Sequence, residues 1–493
     1  GVQTCALPIL EIIDAHNNEQ SDHSDMRKYF FEVNQHEFAQ IPGSPIVYWL
    51  GEQLRKTLIN PASDTILFSD GLIKTGDNLQ YLRLWWELIS TDVNNKSRYR
   101  FCAKGGKERN YYGNLNNVVK WDEETRDYYR SDKVARISPK YLWDKEGITW
   151  TKISSRGGTF RLLRKEDIAE TGGPSLFLKD NVDGNDLLSF IGVITSSLAP
   201  YILQGLNPTL NYQTGDVLRF PLPIKKEEAL SRLVHSMIGS SKEDWDSFET
   251  SWDFQRFALL DPNQGSQAGD LLEDAVTHLR EYWDRVSEEQ RQREIRNNEM
   301  VADAYGVRDD VPCDVLLERV SLKRNVAFAY PKDTPEVRNE KFAQDVVKEL
   351  ISYAVGCMFG RYSLDKPGLI LASQGETLND FHAQIPNPSF EPDADNVIPV
   401  TETDCFEDDI VTRFRRFLTV AFGKENLAAN IAYIEQVLGK SIRKYFVNDF
   451  YNDHVKMYSN RPIYWQYSSQ TNNKGSFKAL VYLHRYTPKT TNV

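Results

Sequence analysis

Two loops combine lysines with glycines in a way that suits the binding of an anion. The first runs from Gly71 to Asn78, with Lys74 between its two glycines and a predicted helix directly after it. Backbone N–H groups at the start of a helix attract phosphate, and glycines let a ligand approach the backbone closely. The loop therefore makes Lys74 and Asn78 candidate contacts to a nucleic-acid phosphate. An ordinary capped turn is the alternative.

The second loop, residues 103–114, has the sequence AKGGKERNYYGN. Its cations suit phosphates or guanine edges, and its asparagines and tyrosines suit the edges and faces of bases. A solvated basic loop is the alternative, and for Arg109 in particular it is an ion pair with Glu108 or Asp122. The candidate DNA-binding residues of this loop are Lys104, Lys107, Arg109, Asn110, Tyr112 and Asn114.

Two further segments have residue types that suit contact with nucleic acid. The run Gly147–Ser155 is rich in β-branched and aromatic residues and predicts a strand that presents Lys152, Ser154 and Ser155. It could equally be a half-buried strand, and Trp150 is expected in the core. The polar stretch from Leu206 to Asp216 offers Asn211 as a reader of adenine edges, although Asn-Pro is also ordinary turn chemistry.

The formal charge is unevenly distributed along the 493 residues. Residues 71–225 contain 23 Lys+Arg and 18 Asp+Glu, a net charge of +5, and the remainder contains 36 and 52, a net charge of −16. A basic segment beside an acidic body indicates a module that faces a polyanion. The sequence shows no apolar run of about 18 residues, which argues against a membrane protein. Its five cysteines form no C-x-x-C pair, so neither a zinc knuckle nor a disulfide framework is indicated, and a reducing cytoplasm is expected.

The spacing of apolar residues predicts the main elements. The predicted fold class is α+β: a mixed α/β domain is followed by a mainly helical C-terminal region that ends in a β-hairpin. Helices are expected at Leu82–Ile89, Leu187–Tyr201 with a kink or stop at Pro200, Leu271–Met300, 336–360, Ile410–Phe422 and Leu427–Phe446. Strands are expected at Pro462–Tyr467 and Phe477–Tyr486, and residues 385–405 are expected to be a loop.

Breaks in these patterns divide the chain. The expected domains are residues 1–60, as the end of an upstream domain with its linker, and 61–225, as the recognition domain. They are followed by a helical spacer, 226–330, and by the helical C-terminal region, 331–493. Gly1–Ile9 is expected to be a cloning or sequencing scar, and the start at Gly1 suggests a fragment.

Enzyme signatures are absent from the sequence. The run Gly439-Lys440-Ser441 lacks the first glycine of a phosphate loop, because that position is Ile434. No glycine-rich loop for S-adenosylmethionine occurs, nor does the Asn/Asp-Pro-Pro-Tyr/Phe tetrapeptide that holds a flipped adenine. No catalytic residue and no metal ligand is therefore assigned.

Taken in order, the motifs resemble the PglX family of adenine-specific DNA methyltransferases from BREX phage-defence systems, and their relatives among single-chain restriction-modification enzymes. The resemblance covers almost the whole chain after residue 28. The matching segments are Ile41–Pro45, Gly71–Asn78, Lys104–Gly113, Gly147–Ser155, Leu206–Asp216, Ser251–Phe254, Gly356–Asp365, Ser441–Arg443, Arg461–Trp465 and Leu480–Tyr486.

The resemblance implies the target-recognition and C-terminal helical part of such an enzyme. The intact enzyme would transfer a methyl group from S-adenosylmethionine to adenine N6, and this chain itself would hold no cofactor. Double-stranded DNA is the expected partner, other BREX proteins are further candidates, and no membrane is involved. The first alternative is a protein-interaction scaffold of a defence complex that does not read DNA sequence. The second is an enzyme with an unrecognised nuclease site in the helical region.

Overall fold

A computed structural model describes residues 35–41, 44–152, 159–207, 209, 211–223, 228–265, 270–470 and 477–490. Gly1–Ile9, Ser154 and Ser155 lie outside the described residues.

The chain alternates helices and short strands up to residue 178 and is mainly helical thereafter. The helices in the described ranges are α1 (Gln35–Gln40), α2 (Glu52–Thr57), α3 (Asn78–Tyr81), α4 (Ser90–Asn94), α5 (Glu123–Ser131), α6 (Gly184–Thr195), α7 (Ala199–Leu206), α8 (Thr214–Leu218), α9 (Glu228–Asp246), α10 (Leu272–Tyr305), α11 (Val326–Ala329), α12 (Pro335–Met358), α13 (Leu378–Gln384), α14 (Ile410–Phe422), α15 (Leu427–Leu438), α16 (Ile442–Tyr445) and α17 (Tyr451–Met457). The strands are β1 (Leu67–Phe68), β2 (Leu82–Leu84), β3 (Tyr99–Ala103), β4 (Asn117–Lys120), β5 (Gly147–Trp150), β6 (Phe160–Leu163), β7 (Ile168–Ala169), β8 (Ser175–Leu178), β9 (Val397–Thr401), β10 (Tyr464–Ser468) and β11 (Phe477–Tyr482).

The strands form three sheets. The first has the order β1-β8-β5-β6 and is antiparallel throughout. The second has the order β2-β4-β3-β7, and its β3–β7 pair is parallel. The third has the order β10-β11-β9 and is antiparallel. Every residue of β5 and β8 is buried, which agrees with the β-branched and aromatic residues of β5 and the apolar residues of β8. The predicted strand at 147 and the core position of Trp150 are thus confirmed.

The helix predicted from Leu82 to Ile89 is wrong. Residues 82–84 are strand β2, which pairs with β4, and Trp85–Glu87 is a single 3₁₀ turn. The apolar residues have helical spacing without sharing a helix face: both indole rings are buried, whereas Ile89 is exposed. The indole N–H of Trp85 donates to the carbonyl of Thr250, and that of Trp86 donates to the carbonyl of Arg461. Long-range contacts therefore override the local pattern.

The predicted helix from Leu187 to Tyr201 is two helices. Helix α6 ends at Thr195, and α7 begins at Ala199 with Pro200 in its first turn, so the expected interruption is present but precedes Pro200. The axes of the two helices differ by 83°. In the part of the chain that the structure describes, no single helix is long and apolar enough to cross a membrane. Helices α6 and α7 reach that length and apolar composition only when the bent pair is counted together.

The C-terminal region agrees with its predicted helices except at two points. Helix α15 ends at Leu438, where Gly439 adopts the left-handed conformation with φ 66°, so the element expected from 427 to 446 is interrupted. The expected loop 385–405 contains β9, which pairs along β11. The hairpin of β10 and β11 is therefore confirmed, but as part of a three-stranded sheet.

Two large hydrophobic cores lie beneath these elements. One unites Leu54, the first sheet, α6, α7 and the end of α10, and the other unites Trp85, Trp86, α12, α14 and the third sheet. Both cores draw residues from more than one of the expected domains. The boundaries near residues 60, 225 and 330 stay predictions.

Candidate nucleic-acid interface

A short segment between β7 and β8 brings two of the predicted clusters together. This segment, residues 169–174, has the sequence AETGGP and is called here the diglycine segment. Its Thr171 N–H donates to the carbonyl of Ile73, and the N–H of Ile73 donates to Ala169. Its Glu170 N–H donates to the carbonyl of Ala103. Lys74 and Lys104, each one residue beyond these contacts, thus flank the same segment.

The two glycines allow the second loop, residues 103–114, to approach closely. This loop is called here the Lys104 loop. A methyl group on Gly173 would lie 2.7 Å from the carbonyl oxygen of Ala103 and 2.9 Å from the nitrogen of Gly105. A methyl group on Gly172 would lie 3.3 Å from the Cγ of Lys104. Gly-Gly-Pro was not among the motifs singled out in the sequence, although its succession of two glycines was a visible signal of close backbone approach.

Arg161, on β6, ties the loop to the end of β5. Its Nη1 donates to the carbonyl of Arg109 at 3.2 Å and to the Thr151 hydroxyl at 3.4 Å, and Thr151 in turn donates to the carbonyl of Gly106. The guanidinium is 1% exposed, and burial without a carboxylate lowers the pKa of Arg161 to about 9. Sequence reasoning missed this residue because nothing in its neighbourhood marks it as a buried cation.

The four predicted lysines lie on or next to the loops that these hydrogen bonds join, and their charges are not neutralised by carboxylates of the described residues. The lysines and these loops together are called here the lysine framework. Lys74, Lys107 and Lys152 are exposed, and Lys104 is half-buried. Among the described residues, none of these four forms an ion pair. Arg136 lies beside them as a further exposed cation, because its backbone pairs with that of Lys74 in both directions. Its Nε donates to the carbonyl of Leu72.

Arg109 and Tyr112 point into the protein instead. The Arg109 guanidinium is 5% exposed and donates to Asp244, Ser241 and its own loop, with Trp245 beneath it. The Tyr112 ring is 4% exposed, and its hydroxyl accepts from Arg164. The expected guanine contact and the expected base stacking need accessible groups, whereas both side chains are buried in this structure. The partner of Arg109 is Asp244 and not Glu108 or Asp122.

The asparagines are divided between structural and solvent-facing positions. Asn114 adopts φ 61° and donates its amide to the carbonyl of Lys107, which closes the loop. Asn78 is exposed, and its Oδ1 accepts from the Thr75 hydroxyl at 2.5 Å. The Oδ1 atoms of Asn110 and Asn211 are buried and have no hydrogen-bond partner in the described part of the chain.

The helix after the first loop is a poor anion site. Helix α3 has four residues, and the carboxylate of Asp77 accepts the N–H groups of Leu79 and Gln80. A capping carboxylate satisfies the free amides and repels a phosphate at the same place. Of the two interpretations of this loop, the capped turn is the one that the geometry favours, and Lys74 is exposed at the loop's edge.

The described residues hold no group of three or more His, Cys, Asp or Glu side chains that could bind a metal ion. They also offer no cradle for S-adenosylmethionine, which needs a parallel strand, a glycine-rich turn and a helix N-terminus. In the one parallel pair of described strands, β7 leads through the diglycine segment into β8 and not into a helix. The residues that the structure describes do not fit that cofactor.

Two curated proteins align with 94% of the chain. An adenine-specific methyltransferase BrxX from Escherichia coli O9:H4 (strain HS) is 31% identical over 481 residues. An adenine-specific methyltransferase PglX from Lacticaseibacillus casei (strain Zhang) is 33% identical over 490 residues. The chain spans 39% and 38% of their respective lengths, and no family model matches it. The resemblance inferred from the ordered motifs is thereby confirmed: the chain is similar to a part of the BrxX and PglX adenine-specific methyltransferases of BREX systems.

Proposed function

We propose that this chain is the DNA target-recognition and C-terminal part of an adenine-specific DNA methyltransferase. The observation that supports this most directly is the group of lysines around the diglycine segment, because they have no carboxylate partner among the described residues. Lysines whose charge is not neutralised inside the protein are suited to phosphate contacts, which supply most of the affinity for duplex DNA.

In this proposal the four lysines contact the DNA backbone, and Arg136 joins them. Arg109, Tyr112 and Asn114 shape the loop and do not touch DNA. Asn78 is exposed and remains a candidate contact to DNA. Ser154 and Ser155 keep that role as a proposal from the sequence.

The intact enzyme would bind S-adenosylmethionine and the target adenine through segments other than these 493 residues. This follows from the missing adenine-holding tetrapeptide and from the lack of a cofactor cradle among the described strands. The methyltransferase activity itself is proposed from the two curated relatives. Other BREX proteins are proposed partners of the acidic remainder of the chain.

The test is the salt dependence of duplex binding by the full chain. Binding of a labelled duplex is measured by fluorescence anisotropy between low and moderate salt for the wild type and for K74A/K104A/K107A/K152A. The slope of log K against log salt is negative, and each lost phosphate contact reduces its magnitude by about 0.9. The quadruple variant should therefore have a slope that is shallower by about 3 to 4.

A matched control removes four exposed lysines from the acidic remainder, in K332A/K424A/K444A/K456A. The net charge of the two variants is the same, so a difference between them reports position and not charge. Equal slopes for the two quadruple variants would contradict the proposal and favour the interaction scaffold that does not read DNA.

A further inference from the structure

A cavity of about 460 Å³ lies between α6, α7, the middle of α10 and the segment before α11. Its apolar wall includes Ile194, Leu203 and Phe328. A cavity of this volume is large enough for a small organic molecule and much larger than a metal ion requires. Its lining includes Glu108 and Asn110 from the loop at residues 103–114 but none of the four lysines, so an inference about it does not depend on the proposed function.

Three of the residues that line this cavity have a buried side-chain oxygen without a hydrogen-bond partner among the described residues. The Thr159 hydroxyl is buried without a hydrogen bond, and the residue is 6% exposed. The Ser197 hydroxyl and the Asn110 Oδ1 are also buried and unpartnered. Buried polar groups normally find a partner, so unsatisfied oxygens on residues of the cavity lining suit a ligand that donates hydrogen bonds.

Glu294, from α10, adds a carboxyl group to the same wall. It is 8% exposed, forms no ion pair among the described residues, and has one long hydrogen bond, 3.5 Å, from the Gln290 amide. Burial raises its pKa to about 8. A buried carboxyl that lacks a counter-ion is expensive to ionise, and a cation placed beside it would remove that cost.

We infer that this cavity is a binding site for a small aliphatic ammonium compound. The ammonium group would meet the Glu294 carboxylate and the hydroxyls of Thr159 and Ser197, and the Asn110 amide oxygen would accept from it as well. The hydrocarbon body would lie against Ile194, Leu203 and Phe328.

Few other titratable groups face this site. Glu108, Asp314 and Arg319 also line the cavity, and Asp314 and Arg319 are exposed at its mouth. The phenol of Tyr111 lies behind it, and burial holds the pKa of Tyr111 well above its usual range. Glu294 is therefore the group that should change protonation when an ammonium binds, and it should release its proton.

The probe is n-butylammonium, titrated into the full chain at pH 8 by calorimetry in two buffers with different ionisation heats. We expect a Kd on the order of 1 mM, which is weaker than the limit on binding energy per atom allows for such a small ligand. Proton release from Glu294 should appear as a difference in heat between the buffers. Glu294→Gln should weaken binding by about tenfold or more and abolish that difference.

Two controls make the test specific. Glu281→Gln changes an exposed carboxyl on the same helix and should bind like the wild type. Butanol, which has a similar body without the charge, should bind at least about tenfold more weakly. The inference is overturned if the wild type gives no binding heat at about ten times that Kd, if Glu294→Gln binds as well as the wild type, or if butanol binds equally well.

Discussion

Arg109 and Asp244, which are 135 residues apart in the chain, form a buried ion pair with 2.5 Å between Nη2 and Oδ2. Asp244 is fully buried in α9 and also accepts the N–H groups of Lys323 and Arg324. Through this carboxylate the Lys104 loop is joined to α9 and to the segment before α11. The loop is therefore held from inside by a residue whose type suggested contact with DNA.

Replacing Arg109 with alanine should destabilise the fold. The carboxylate of Asp244 would stay buried without its cation, which typically costs 3–5 kcal/mol, and the two remaining N–H donors place the expected loss at about 3 kcal/mol. Urea unfolding followed by tryptophan fluorescence measures it. Lys107→Ala, in the same loop but exposed, should change stability by less than about 0.5 kcal/mol.

The same variant separates a structural role from base reading. R109A should weaken binding to duplexes of different sequence by the same factor, because the whole loop is disturbed. A loss confined to one duplex sequence, with unfolding unchanged, would contradict the structural role.

Short-range features were predictable from the sequence, and long-range partners were not. The exposure of Lys74, Lys107 and Lys152 agrees with their polar, glycine-containing surroundings. The burial of Arg109 depends on Asp244, and nothing within the loop indicates that partner. A buried arginine and a solvated arginine look alike in a sequence until the distant carboxylate is known.

The same reason explains the element predictions that were wrong. Residues 82–84 join a sheet because β4 offers backbone partners, and Val397–Thr401 is a strand because β11 lies beside it. By contrast, α10, α12 and α14 were predictable, since long amphipathic helices carry their own pattern. Pairing between strands depends on the tertiary arrangement, whereas helical periodicity is local.

A single lysine variant gives a quantitative test of the interface. K104A should reduce the magnitude of the slope of log K against log salt by about 0.9 for every duplex tested, since a phosphate contact carries no sequence information. Binding titrations at several salt concentrations measure the slope. Lys332→Ala, which removes an exposed lysine outside residues 61–225, should leave the slope unchanged. A slope that K104A does not alter would remove Lys104 from the contact set.

His454 should make the fold sensitive to acid. Its Nε2 accepts the N–H groups of Ile463 and Tyr464, and burial lowers the pKa of His454 to about 3. The unfolded chain binds a proton near pH 6.5 and the folded chain does not, so stability is complete above pH 6.5 and falls as the pH decreases towards 3. The loss approaches about 1.4 kcal/mol for each pH unit below 6.5.

The measurement is the free energy of unfolding of His454→Gln and of the wild type between pH 7 and pH 5. The variant should show a shallower decline, whatever its stability at pH 7. His235→Gln, at an exposed site on α9, should keep the wild-type decline. An unchanged decline in His454→Gln would show that this imidazole is not the group responsible.

Glu294 should lower the stability of the fold as the pH rises, which is the opposite of the effect of His454 and occurs over a higher pH range. Its pKa is raised to about 8 in the folded chain, so the folded state keeps a proton that the unfolded state loses above its ordinary pKa of 4.5. The stability from the protonated carboxyl is complete below pH 4.5 and is lost as the pH rises towards 8. Glu294→Gln should therefore gain on the wild type by a few kcal/mol between pH 5 and pH 8, at up to about 1.4 kcal/mol per pH unit. Unfolding curves at both pH values check this, and a constant difference between the two proteins would contradict it.

The final prediction links the packing of the diglycine segment to the interface. Gly173→Ala would place a methyl group 2.7 Å from the carbonyl oxygen of Ala103 and 2.9 Å from the nitrogen of Gly105, and both are backbone atoms that cannot rotate away. The Lys104 loop must shift, at an expected cost of about 1–3 kcal/mol in the free energy of unfolding. Because the shift moves the lysine framework as a unit, duplex affinity should fall more in this variant than in K104A and should fall equally for all sequences.

Gly71→Ala is the matched control, since the nearest atom to its added methyl group is 3.9 Å away, an ordinary contact. Circular dichroism confirms that both variants are folded before anisotropy titrations are compared. Wild-type affinity in a folded Gly173→Ala would mean that the position of this loop does not matter for DNA binding.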